Sequence, residues 1–150
     1  MLTRDALLAY AHFACIFTLA SLLACEVVLL RSTPAGDVLR RLQGVDRWYG
    51  IVAGLVIASG LARLFLGPKG TAFFVHNPVF WTKMGLFAAV ALISIAPTIA
   101  FIRWGREGPN GSVVVQPAEI GRVRGLLWLQ VGLFALIPLC ATFMARGIGL

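Results

Sequence analysis

The sequence predicts an all-α fold, a four-helix bundle threaded up and down through a membrane, and three observations predict it. Of 150 residues, 59% are hydrophobic and 13% charged, where a soluble domain has about half and about a quarter. The apolar residues gather into four long runs, and most of the thirteen Lys and Arg fall between those runs. The first, third and fourth runs reach the length of about 20 residues that a helix needs to cross the hydrocarbon core. A net charge of +7 would suggest nucleic acid in a soluble chain, but basic residues placed between apolar runs point to the lipid surface instead. The composition excludes disorder, collagen and a disulfide scaffold, and no nucleic-acid partner is expected.

One domain is expected over the whole chain, with spans at about 6–30, 45–66, 78–102 and 123–145. Within the first span, Leu22-Leu23-Ala24-Cys25 has the look of a lipoprotein cleavage box. Its apolar run continues to Leu30 and Arg4 and Asp5 cancel ahead of it, so the segment is read as a retained helix. Cys15 and Cys25 are ten residues apart on that helix, roughly 15 Å along its axis, and cannot pair. All three cysteines are read as packing residues. The second span is short unless Asp46, Arg47 and Arg63 are accepted near its ends, where long cationic stems can snorkel to the interface. Ahead of it, Asp37 to Leu42 is a basic amphipathic piece that either lies on the inner leaflet or extends the second helix.

Gly67 and Pro68 stop the second run, and Asn77-Pro78 supplies an N-cap and a first-turn proline for the third. Pro97 and Pro138 fall inside the third and fourth spans, where each removes a backbone donor and is expected to kink its helix. Between those spans, Gly105, Gly108, Pro109, Asn110 and Gly111 have the composition of a mobile loop, followed by an extended piece at Ser112 to Val115. The outer loop carries Phe73, Phe74 and His76, which are expected to fold over the bundle.

Orientation follows from the basic residues. Arg31, Arg40, Arg41, Arg47, Arg103, Arg106, Arg122 and Arg124 make eight of the thirteen, all beside the first and third connections. The positive-inside rule then puts both termini outside an inner, cytoplasmic membrane. Trp48, Tyr49, Trp104 and Trp128 are expected at the inner interface, with Tyr10, Phe80 and Trp81 at the outer one.

Polar side chains within the spans need an account, since a central charge costs about 2.5–3.5 kcal/mol on insertion scales. His12 and Glu26 are fourteen residues apart, which places them within about 40° of one helix face and in different leaflets, roughly 21 Å apart. Three basic residues, His12, Arg63 and Lys83, converge in the outer half from three helices, which suits an anionic or metal-bearing ligand. The plainer alternative has Arg63 and Lys83 snorkelling to lipid phosphates and His12 bonding a carbonyl. In the inner half, Glu26 either pairs with Arg103, Arg122 or Arg124 or relays protons, with Asp46 and Tyr49 as candidate members of its network. Gln130 is expected to hydrogen-bond across helices. Gly50, Gly54 and Ala58 form a small-residue stripe suited to an internal helix contact or to a homodimer face. No phosphate loop, nucleophile elbow or zinc motif is present.

Several of these residues together resemble a family. His12, the Glu26 to Arg31 end of the first span, Arg40-Arg41-Leu42, Asp46-Arg47-Trp48-Tyr49-Gly50, the run from His76 to Lys83 and Ser94 to Thr98 look like a bacterial family of small membrane proteins known as a domain of unknown function. The likeness spans nearly the whole chain and is most specific in the NP-x-FW-x-K stretch. More distantly, the chain is similar to the HemJ-type protoporphyrinogen oxidases, four-helix membrane proteins of comparable length. That resemblance implies haem b and assigns the functional pair to His12 and Lys83.

Three functional expectations result. One is a redox-type protein binding haem b or another porphyrin, with His12 on the iron and Arg63 or Lys83 on the propionates. Another is a quinone or lipid-like amphiphile held by His12 and Lys83. A third is a non-catalytic accessory subunit that joins a homo-oligomer or a larger membrane complex through its Gly50/Gly54/Ala58 stripe.

Overall fold

The computed structural model describes residues 2–66, 75–106 and 115–146, and among them there is no strand. Helix α1 is Leu2–Leu29, α2 is Gly36–Leu66, α3 is Pro78–Arg106 and α4 is Pro117–Ala145. All four are long and apolar enough to cross a bilayer. Residues 67–74, which include Phe73 and Phe74, and residues 107–114, with Gly108, Pro109 and the start of the expected extended piece, lie outside the described residues.

Three helices reach past their predicted spans at the arginine-rich end. α2 starts at Gly36 because Leu39 and Leu42 sit three residues apart on its inward face, both buried. The amphipathic piece therefore extends the second helix. Asp37 in its first turn pairs with Arg40, and an acid suits the positive end of the helix dipole. Gly36 has φ +49°, a left-handed conformation that costs glycine little, and it turns the chain tightly out of α1. Arg31 and Ser32 close that turn by donating to the Val28 and Leu29 carbonyls at 3.1 and 3.3 Å.

α3 opens as its sequence predicts. Asn77 Oδ1 accepts the Val79 N–H at 2.8 Å and Pro78 occupies the first helical position, where a missing N–H loses nothing. Trp81 Nε1 then donates back to the Val75 carbonyl at 2.9 Å. α4 likewise begins on a proline, Pro117. Pro97 and Pro138 lie within continuous helices, and Pro97 is fully buried.

The helices form a ring of two antiparallel hairpins. α1 packs mainly on α2 and α3 mainly on α4, while α2–α3 and α1–α4 are slighter contacts and the backbones of the diagonal pairs do not approach closely among the described residues. Burying apolar surface gives little advantage when the solvent is hydrocarbon, so close packing and polar links must hold such helices together. Both concentrate at the arginine-rich end. Leu23 and Val27 of α1, and Leu30 in the turn just after it, pack with Leu42 of α2, Phe101 and Trp104 of α3 and Leu127 of α4, and the Phe101 and Trp104 rings tilt together at 5.7 Å. Gln43 Nε2 donates to the Phe101 carbonyl at 2.7 Å, Trp104 Nε1 to Glu119 at 3.1 Å and Arg124 to the Leu30 carbonyl at 2.8 Å. Gly105 makes the first of these links feasible, since a Cβ there would collide with the Gln43 amide. At the opposite end Arg4 donates to the Leu66 carbonyl at 3.1 Å, capping the last turn of α2.

One expectation needs correction. Tyr49 and Trp104 are buried, not interfacial, because each lies on the inward face of its helix. Trp48, Trp128, Tyr10 and Trp81 are exposed, as residues facing lipid should be. Of the two roles expected for the small-residue stripe, the internal contact is not made: a Cβ added at Gly50 or Gly54 would meet nothing within 4 Å. With Ala58 also exposed, the small-residue stripe faces outward and makes no close internal contact.

Candidate functional site

Two polar clusters lie within the membrane-length helices, one in each half. In the half away from the arginine-rich end, His12 of α1 is 6% exposed and its Nδ1 lies 2.9 Å from Ser59 Oγ on α2. The Ser59 hydroxyl donates its own hydrogen to the Val56 carbonyl at 3.1 Å, which leaves its oxygen as the acceptor. The Val56 carbonyl is also a hydrogen-bond partner of the His12 ring, and with the proton on Nδ1 the lone pair stays on Nε2. Gly60 provides the space for this, because a Cβ there would stand 3.3 Å from His12 Cε1.

Register brings two cations to the same level. Thr98 of α3 bonds Asp46 of α2, and stepping fifteen residues outward along both antiparallel helices sets Lys83 opposite Leu61. That is about 3 Å along the axis from Ser59, and Arg63 is about 6 Å from it. Arg63 and Lys83 are both electrostatic neighbours of the His12 ring, and of each other. Arg63 lies over the Phe13 ring at 5.7 Å, and its buried Nε has no hydrogen-bond partner. No described carboxylate pairs with either cation. The convergence of His12, Arg63 and Lys83 that the sequence predicts is therefore present, and Cys140 of α4 adjoins Lys83.

The second cluster departs from expectation. Glu26 pairs with no arginine: Arg103 is bound to Glu119, Arg124 to the Leu30 carbonyl, and Arg122 is exposed. Instead Glu26 faces Asp46 and Tyr49. The reason is again register, since the His12–Ser59 contact places Glu26 opposite Val45, next to Asp46. Gln130 is fully buried, yet neither its Oε1 nor its Nε2 has a hydrogen-bond partner, so the expected bond across helices is not made. Between the two clusters, a crevice of about 80 Å³ opens where α2 meets α3, lined by Leu19, Tyr49, Phe87, Val90, Ser94 and Thr98.

Ser59, Gly60 and Thr98 are the site residues the sequence reading missed. Hydroxyls in apolar helices bond their own carbonyls so often that they carry little signal alone. Ser59-Gly60 at the depth of His12 was the available clue. Among the described residues no group of three or more His, Cys, Asp and Glu is placed to hold a bare metal ion.

A family profile described as "Predicted membrane protein (DUF2214)" matches residues 4–149. No curated protein and no solved structure matches the chain.

Proposed function

The chain belongs to this DUF2214 family and is an integral membrane protein, and we propose that it binds haem b in the half of the bundle that holds His12. The observation that carries this reading is the His12–Ser59 bond. It orients the imidazole through Nδ1, and in the tautomer protonated there Nε2 keeps the lone pair an axial ligand needs, while a hydrogen bond on the other nitrogen strengthens such a ligand. A porphyrin supplies four of the iron's donors itself, so one imidazole suffices where a bare ion would need a cluster. Arg63 and Lys83, with no described anionic partner, suit the two propionates. When bound, haem b supplies one-electron redox chemistry. The protein's part would be to hold it through His12 and to balance its charge with Arg63 and Lys83.

Facing the arginine-rich end to the cytoplasm of an inner membrane belongs to the same proposal. Absorption spectroscopy of the purified protein tests the site, before and after haem is supplied. A Soret band that His12→Ala abolishes supports it, and no band in the wild-type protein overturns it. Organic extraction of the same sample identifies a quinone if that is the resident molecule. The accessory-subunit reading gains from the outward stripe of Gly50, Gly54 and Ala58. It prevails if a protein partner copurifies on that face and the Soret band is absent.

A further inference from the structure

The proposed haem site makes no use of Glu26, which is 2% exposed. No described donor reaches its Oε1, and its electrostatic neighbour is a second carboxyl, that of Asp46. Asp46 receives one hydrogen bond, from Thr98 Oγ1 at 2.7 Å. The groups facing this pair from the other helices leave its charge unbalanced. On α2 these are Tyr49, which adjoins both acids, and the exposed Arg47. On α3 Arg103 is taken by Glu119, on α4 Arg124 donates to the Leu30 carbonyl and keeps its charge and an unpartnered Nε without acting on Glu26, and Gln130 carries no charge. Two neighbouring carboxyls in apolar surroundings cannot both be ionised without a counter-ion.

The crevice at the α2–α3 contact is the second observation. Its 80 Å³ exceeds the roughly 10–15 Å³ that one water needs, and the hydroxyls of Tyr49, Ser94 and Thr98 offer partners to water held there. Tyr49 and Thr98 belong to the crevice and to the acid cluster at once.

We propose that Glu26 and Asp46 are a proton-binding pair that shares one proton and exchanges it with water in the Tyr49–Ser94–Thr98 crevice. With the proton bound the pair carries one negative charge, and releasing it to crevice water leaves two. Uptake restores the first state, so the pair is a one-proton store within the bundle. Nothing in this requires haem, and its test is separate from that of the haem site.

The experiment is labelling of the full-length protein in liposomes with dicyclohexylcarbodiimide, which adds to protonated carboxyls in apolar surroundings, followed by peptide mass spectrometry. Glu26 is expected to be modified at neutral pH and progressively less as the pH rises, while the exposed Asp37 is not. Asp46→Asn removes the adjoining negative charge but not the burial of Glu26, and is expected to move the loss of Glu26 labelling to lower pH. Wild-type Glu26 that stays unlabelled at neutral pH, or labels independently of pH, overturns the proposal without reference to any variant. An unchanged pH dependence of Glu26 labelling in a folded Asp46→Asn protein overturns the sharing.

Discussion

Replacing Gln130 by leucine tests what an unsatisfied amide costs inside this bundle. The side chain is 0% exposed, and neither its carbonyl oxygen nor its NH₂ has a hydrogen-bond partner. Leaving a buried polar group unpaired costs about 1–3 kcal/mol. The lower part of that range applies here, because hydrogen bonds between helices in lipid are themselves worth only about 0.6 kcal/mol on average. Leucine has nearly the same volume, so repacking against Leu127 and its neighbours should cost less than about 1.5 kcal/mol. The net expectation is no loss of stability and a gain of up to about 1 kcal/mol, at most about 2–4 °C in Tm for a chain of this length. The free energy is measured by reversible unfolding of the refolded protein in mixed micelles with rising SDS, and Tm by tryptophan fluorescence. Destabilisation of Gln130→Leu by 1 kcal/mol or more would show that the amide has a partner, and so refute the reasoning.

Gly105→Ala should cost no more than about 1 kcal/mol in the same assay, since its Cβ only swings the flexible Gln43 amide off the Phe101 carbonyl while alanine gains helix propensity. Leu127→Ala should cost about 2–5 kcal/mol, whereas Leu136→Ala, at a position 45% exposed to lipid, should cost less than about 0.5 kcal/mol; equal costs would mean that the packed core is misplaced. Ser59→Ala removes the partner of His12 Nδ1 and should weaken haem binding about 10–100-fold, read by titration of the Soret band.

Helix number and type were legible because hydrocarbon imposes one rule, that an apolar run of sufficient length must be helical. Helix ends were less so. The charges of Asp37, Arg40 and Arg41 looked like a boundary, while Leu39 and Leu42 between them already carried the helical spacing that buries them against α1. Convergence of His12, Arg63 and Lys83 was readable from depth alone, since counting residues from the ends of a span gives height in the bilayer. Partners were not readable that way. Glu26 had arginines within plausible reach, and only the register of α1 on α2 decided that it faces Asp46. Tyr49 and Trp104 misled for the same reason: their height fits an interfacial belt, but the rotation of each helix about its axis turns them inward.

The uneven contacts around the ring bear on how the protein is made. α1 finds its principal partner in the helix synthesised directly after it, and α3 does so in α4. Local pairings of this kind close quickly and require little search. During synthesis, the ribosome has delivered everything the first hairpin needs before α3 begins, and two finished hairpins then dock along slighter seams. The last helix made is the one that closes the ring. A chain truncated before Pro117 keeps α1 paired with α2 and leaves α3 without its main support.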